Sequence, residues 1–328
     1  MANVRLFWGS FVALFLVGVI VALPGAALPE WRGRYGVGEE VSWFFTALLL
    51  GLLLGVRLAQ GDKRHPLLPA ALGLAGLALW GVALAPSFPL VVALAFLLGL
   101  GEGVMNVHGN SLVGELDPKR RVELLNRVNV AFGLGAVFTP FALTLLPYAG
   151  VLILAGLLAW IGALLLWEAP QVTQVPKEQG RGLWPFLLAV AIYTGLEGAL
   201  ATWNRVWLEH LGHPMAKLVA QKPLAALRSL LLGVLALLFL NLLPPTALLF
   251  PLAGFLLGPL FSTLFALVQA RFGHRALGGL LYAGATGSTL IPALFALLPT
   301  PGIPYGLLGL ALGLFLMVSS LERRAVHA

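Results

Sequence analysis

Long apolar runs broken by short polar or proline-marked stretches set the pattern of this chain almost from its first residue. Runs at about 7–28, 41–60, 66–86, 89–112, 128–147 and 150–168 have the length of roughly 18–20 residues that carries an α-helix across a bilayer. After a polar break, further runs cover about 183–204, 228–243, 245–268, 276–297 and 304–321. Tight turns at Ala85-Pro86-Ser87, Leu146-Pro147, Pro244-Pro245 and Pro299 to Pro304 suit antiparallel neighbours. The pattern predicts an all-α polytopic membrane protein with 11 clear spans. The break holds Pro170, Pro176, Lys177, Glu178, Gln179 and Arg181, and reads as a linker. It separates an N-terminal six-helix half, 1–168, from a C-terminal half, 183–328, with 169–182 between them.

One stretch resists this reading. Residues 205–227 contain Pro214, Pro223, Lys217 and Lys222. A charge at mid-membrane costs at least about 2.5–3.5 kcal/mol on insertion scales, and a proline inside a helix costs ~3 kcal/mol. A short or broken element sheltered by protein is therefore expected there, in place of a full span.

Composition sharpens the class. The chain has 328 residues, 59% of them hydrophobic and only 10% charged, against about 25% charged in soluble domains. That excludes a soluble enzyme, a disordered chain and a nucleic-acid-binding module, and no polar stretch is long enough for a large extramembrane domain. The absence of cysteine removes disulfides, thiolate metal sites and cysteine nucleophiles. The run from Phe7 to Leu28 is too long for a signal-peptide core and reads as a retained first helix.

The net charge of +7 matters less than its placement. With the N-terminus inside, the inner segments of the first half carry Arg5, Arg57, Lys63, Arg64, Lys119, Arg120, Arg121, Arg127, Lys177 and Arg181, while the outer loops carry only Arg32 and Arg34. Lys and Arg collect in cytoplasmic loops, so both termini are expected in the cytoplasm, the last next to Arg323 and Arg324. The uncharged turns at Pro244 and Pro299 are then outside, and that requires residues 205–227 to return the chain inward.

Two hydrophobic halves joined by a basic linker resemble the major facilitator superfamily, whose halves are parallel repeats. Local runs resemble its fucose permease-like sugar-permease branch: Gly18 to Leu28-Pro29-Glu30 and Gly36; Gly99-Leu100-Gly101-Glu102-Gly103-Val104-Met105-Asn106; Asn126 to Phe132-Gly133-Leu134-Gly135-Ala136 and Pro140; and Tyr193-Thr194-Gly195-Leu196-Glu197 to Trp203. The stretch Gly55 to Arg64 keeps the glycine and positive charge of the superfamily's loop after its second helix, with the acid shifted. The resemblance implies a two-half bundle of the major facilitator type with the eighth helix absent or truncated. It also implies a fourth helix facing a central cavity.

Two acids, Glu102 and Glu197, are placed well inside predicted spans, where carboxylates are functional candidates by default. Glu102, Asn106 and Asn110 fall at i, i+4 and i+8, one polar stripe. Glu102 there can bind a sugar hydroxyl or take a proton, or it can be locked to the neighbouring asparagines as glue between helices. Tyr193, Glu197 and Asn204 share a second face, with Trp203 on its flank as a stacking platform for a sugar or as an interface anchor. Asn126 and Asn129 form an i, i+3 pair at the expected start of the fifth helix, suited to substrate or to capping. His108 is on the opposite side of its helix from Glu102 and reads as a packed or interfacial histidine; Gln269 and Tyr282 are weaker candidates. Lys119-Arg120-Arg121 reads as a topology signal.

No Asp-rich diphosphate motif, His-Glu-x-x-His, Gly-x-Ser-x-Gly or nucleotide-binding loop occurs, so no enzyme activity, cofactor or metal is expected. The sequence thus points to a secondary active transporter of a small polar solute, with a sugar as the expected class and protons as the candidate coupling ion. Its substrate residues would be Glu102, Asn106, Asn110, Asn129, Tyr193, Glu197, Trp203 and Asn204, with Glu102 and Glu197 directed into a shared polar cavity between the halves. A carboxyl that is neutral facing one side and ionised facing the other would supply the coupling. Its partners are the solute, protons and the lipid bilayer, with no nucleic acid, in the inner (cytoplasmic) membrane. The alternative is a non-transporting membrane protein that keeps the scaffold without a complete rocking-bundle helix.

Overall fold

Apolar residues on every side of a segment leave it no face for water, and in a bilayer only a helix satisfies its own backbone groups. The computed structural model describes residues 2–172, 182–196, 261–295, 297–299 and 302–326. Among them are ten α-helices: α1 (Ala2–Tyr35), α2 (Val41–Leu58), α3 (Leu67–Leu84), α4 (Phe88–Leu116), α5 (Arg121–Leu145), α6 (Tyr148–Leu165), α7 (Trp184–Leu196), α8 (261–272), α9 (Arg275–Phe295) and α10 (Ile303–Val326). No strand occurs among the described residues. Six of the helices, α1 to α6, have the length and composition to cross a membrane. The expected run 228–243, most of 245–268 and the whole of 205–227 are outside the described residues, so the count of eleven clear spans is not confirmed.

Two boundaries differ from the hydropathy reading for physical reasons. Helix α1 outlasts the apolar run 7–28 and ends with Arg32 and Arg34 in its last turn, where cations suit the negative end of the helix dipole. Helix α5 starts at Arg121 rather than 128. Glu123 pairs there with Arg120 at i−3 and Arg127 at i+4, both at 2.7 Å, and such pairs support a polar turn that hydropathy does not register. Asn129 therefore sits about two turns into the helix instead of at its start.

The chain divides into two compact units, residues 1–177 with 266–278, and residues 178–265 with 279–328. In the first, α1 packs on α5, α2 on α4, and α3 on α6. Glycines set the closeness of the first two pairs. A Cβ at Gly51 or Gly99 would collide with a backbone carbonyl of the facing helix, Phe96 or Leu48, and Gly18 and Gly135 stand in the same relation to Phe132 and Phe15. Small residues that let helix backbones touch are how helices associate where lipid supplies no hydrophobic driving force. Outward faces carry Phe45, Leu54, Leu77, Leu84, Leu154 and Leu164, all exposed, as a lipid-facing surface requires and a water-facing one avoids.

A buried aromatic knot closes one end of this unit. Trp31 is fully buried, its ring 4.9 Å from Phe44 and 5.8 Å from Phe88. Its Nε1–H donates to the Tyr148 hydroxyl at 2.8 Å. Replacing Tyr148 by phenylalanine strands that donor, and the variant is expected to lose about 1–3 kcal/mol. Unfolding midpoints of the two proteins in the same detergent will measure this.

In the second unit the Thr194 hydroxyl of α7 donates to the Gly284 carbonyl of α9 at 2.8 Å. Helix α9 packs on α10 through Phe295, with Ile291, Leu307 and Leu310 around it.

Candidate functional site

Glu102 sits at the midpoint of α4, in a run that alternates glycine with larger residues. Gly99 and Gly103 bring the backbone of α2 against one side of the helix, and Gly101 brings Ala71 of α3 to 3.0 Å of its would-be Cβ on another. The Glu102 side shares its face with Gly109, seven residues on, which abuts Leu14 of α1. Enclosed in this way, Glu102 is 6% exposed. Its Oε2 has no hydrogen-bond partner among the described residues.

Next to it runs a ladder of amides. Asn110 donates through Nδ2 to the Asn106 carbonyl at 2.9 Å and to Asn106 Oδ1 at 3.0 Å. Asn129 of α5 donates to Asn110 Oδ1 at 3.2 Å and to the Leu125 carbonyl at 2.8 Å. The ladder joins α4 to α5, the interhelical bonding that the spacing left open, and Glu102 is not hydrogen-bonded into it. Asn106 and Asn129 are half-buried and Asn110 is buried. Tyr193 is buried on α7, its ring 6.3 Å from Phe261. Glu197, Trp203 and Asn204 are outside the described residues. Asn126 and Tyr282 are half-buried.

A second polar cluster, at the end of the first unit that holds the loop between α2 and α3, was not singled out by the sequence. Arg64 in that loop is fully buried. Its guanidinium forks onto the Glu115 carboxylate at 2.6 and 2.9 Å and also reaches Ser111 Oγ at 3.1 Å and the Pro170 carbonyl at 3.2 Å. Gln171 holds the loop backbone, accepting from the Arg64 amide and donating to the His65 carbonyl. Arg121 donates to the Gly114 carbonyl at 2.8 Å, so part of the basic cluster caps the carboxyl end of α4.

The turn between α8 and α9 completes this layer. Gln269 donates to the Ser111 carbonyl at 2.7 Å, an approach possible because residue 114 is glycine and has no Cβ to block the amide. His274 donates through Nε2 to the Ala59 carbonyl at 2.6 Å. Its ring stacks on His108 of α4 at 4.8 Å and 9°. Arg275 pairs with Asp62 at 3.0 Å. Burial lowers the basicity of His274 below the ordinary imidazole value and the nearby Arg64 adds to this, while the bond to Ala59 and the carboxylates of Glu115 and Asp62 oppose it. These contacts join residues more than 150 positions apart, which no spacing rule connects. Among the described residues no group of three or more metal-ligating side chains occurs.

Glu102 is thus a buried acid at the centre of α4, beside an amide ladder that joins α4 to α5. The family model described as Major Facilitator Superfamily matches residues 10–321. The chain belongs to that superfamily. It is a multi-pass membrane protein of a family of transporters, not enzymes. The 4-hydroxybenzoate transporter PcaK of Pseudomonas aeruginosa is 30% identical over 183 residues, 52% of this chain and 41% of that protein, so the chain spans well under half the length of this curated relative. The fold is similar to that of FucP, a fucose:proton symporter of E. coli, in its outward conformation, with a TM-score of 0.69, 14% identity, and coverage of 97% of this chain and 98% of that one. The human organic anion transporter MFSD10 gives a TM-score of 0.64 at 18% identity, covering 96% and 99%. At those identities the likeness is one of fold.

Proposed function

We propose that this protein is a secondary transporter that moves a small polar solute, a sugar first among the candidates, together with protons by alternating access. It would act in the inner (cytoplasmic) membrane with both termini in the cytoplasm, residues 1–168 and 183–328 serving as its two halves and 169–182 as their linker. Glu102 carries this reading. It is the acid at the centre of α4, almost wholly enclosed, with an oxygen free of any partner among the described residues, in a superfamily of transporters. A buried carboxyl without a fixed partner is costly and is kept where function uses it. Glu102, Asn106, Asn110, Asn129, Tyr193, Glu197, Trp203 and Asn204 are the residues proposed to bind the solute. The two glutamates are the proton carriers.

A second reading rests on the stretch shared with PcaK, which transports 4-hydroxybenzoate: the solute would be an aromatic acid. A flux screen in reconstituted vesicles, with and without a pH gradient, tests both. The panel holds hexoses, pentoses and 4-hydroxybenzoate. Uptake of a sugar that rises with the inward proton gradient supports the first reading, and uptake of the acid alone replaces it with the second. A failure of every solute to cross would favour a scaffold that does not transport.

A further inference from the structure

The seam between α1 and α6 closes on an ion pair that plays no part in the proposed solute path. Gly9 faces Leu166 and Gly162 faces Val12 across it, with room for a Cβ at neither glycine: the nearest side-chain carbons stand 2.7 and 2.9 Å from where one would be. That close approach brings Arg5, one turn before Gly9, against Glu168, just past the end of α6. Arg5 Nη2 donates to Glu168 Oε2 at 2.6 Å, and the two side chains are 39% and 71% exposed. Each is the other's one side-chain partner among the described residues, and Nε of Arg5 is shut off from solvent with no partner among them.

Two tryptophans fix the depth of this pair. Trp8, three residues along α1, and Trp167, next to Glu168, are more than half exposed, and exposed Trp collects where the hydrocarbon meets the headgroups. The exposed Leu164 and Ile161 precede Glu168 by four and seven residues, the spacing of one helix face. An apolar stripe on α6 therefore leads away from the pair into the hydrocarbon. The pair stands where a lipid puts its headgroup, and the stripe where it puts its acyl chains.

The signs of the charges select the headgroup. A phosphate suits the guanidinium, which keeps N–H groups beyond the one given to Glu168. A net-negative headgroup would meet the Glu168 carboxylate as well and be repelled by it. A headgroup with an ammonium beside its phosphate meets both members favourably: guanidinium, phosphate, ammonium and carboxylate then alternate in sign around a ring. The second carboxylate oxygen of Glu168 accepts an N–H only from a primary ammonium, because a choline nitrogen carries no hydrogen. We propose that this end of the α1–α6 seam holds one phosphatidylethanolamine molecule of the bilayer, its phosphate on Arg5 and its ammonium on Glu168. The lipid then ties the two helices together whatever solute the protein carries.

Native mass spectrometry of the full chain reads the choice directly, after delipidation in detergent and addition of phosphatidylethanolamine, phosphatidylcholine or phosphatidylglycerol with the same acyl chains. The wild type should retain phosphatidylethanolamine about tenfold more tightly than either of the others, the scale of one hydrogen bond to a charged group. Glu168→Gln keeps the phosphate contact and loses the charge. Its retention of phosphatidylethanolamine should fall to the level of phosphatidylcholine, and that of phosphatidylglycerol should rise. Arg5→Gln should weaken all three, phosphatidylethanolamine by about tenfold. Arg127→Gln, which removes an arginine of α5 that is 61% exposed, should leave the order unchanged. Equal retention of phosphatidylethanolamine and phosphatidylcholine by the wild type would overturn the site, as would a Glu168→Gln protein with the full wild-type preference. So would tightest wild-type retention of phosphatidylglycerol, the mark of a merely basic surface. The wild-type comparison stands even where a variant fails to fold.

Discussion

Glu102→Gln should abolish uphill uptake while leaving downhill exchange intact. A pH gradient of one unit is worth about 1.4 kcal/mol per proton, so one-to-one coupling supports roughly tenfold accumulation of solute. Glutamine has nearly the same shape and can still hydrogen-bond a solute hydroxyl, but it cannot lose or gain the proton. The variant should therefore fill vesicles only to equal concentrations on both sides, and counterflow of labelled solute should persist. Because Oε2 of Glu102 has no partner to lose among the described residues, folding should be little affected. Tenfold accumulation by the glutamine variant would remove Glu102 from the coupling mechanism.

Arg64→Ala should have the largest effect on stability. The guanidinium is fully buried and the Glu115 side chain is only 10% exposed, so truncation leaves an enclosed carboxylate without the fork that held both its oxygens. Breaking a buried pair from one side costs about 3–5 kcal/mol. It also removes the bonds that Ser111 Oγ and the Pro170 carbonyl accept from the same group. Removing both charges is different. Arg64→Met together with Glu115→Leu should recover most of the loss, because an apolar replacement no longer has to desolvate two ions. Chemical unfolding of the three proteins in one detergent will order them: wild type and double variant close together, Arg64→Ala well below.

The ease with which each part could be read from the sequence follows from how local its cause is. Spans α2, α3, α4 and α6 fall within a few residues of their apolar runs, because burial in lipid is written into consecutive side chains. The start of α5 is not legible in hydropathy because ion pairs around Glu123 carry its first turns. The amide ladder from Asn106 to Asn129 was half legible: the i, i+4 spacing on α4 is visible, but the link to α5 depends on which helices meet. Arg64 reads as a topology charge in the sequence, since a buried arginine and an exposed one look alike until the Glu115 fork is seen. The stack of His108 on His274 had no signal at all, because its two members approach only through the fold.

The seating of residues 266–278 in a unit otherwise made of residues 1–177 has a consequence for how the protein is born. Residues 178–265 separate the two pieces, 88 in all, and a ribosome adding roughly 5–20 residues per second needs about 5–20 s to supply the second. Throughout that interval the first six helices are present with the Ser111 and Ala59 carbonyls uncovered and His108 facing no partner ring. The first part synthesised is thus among the last to be finished. Chains stopped before residue 266 lack the Gln269 and His274 contacts that cover this polar notch.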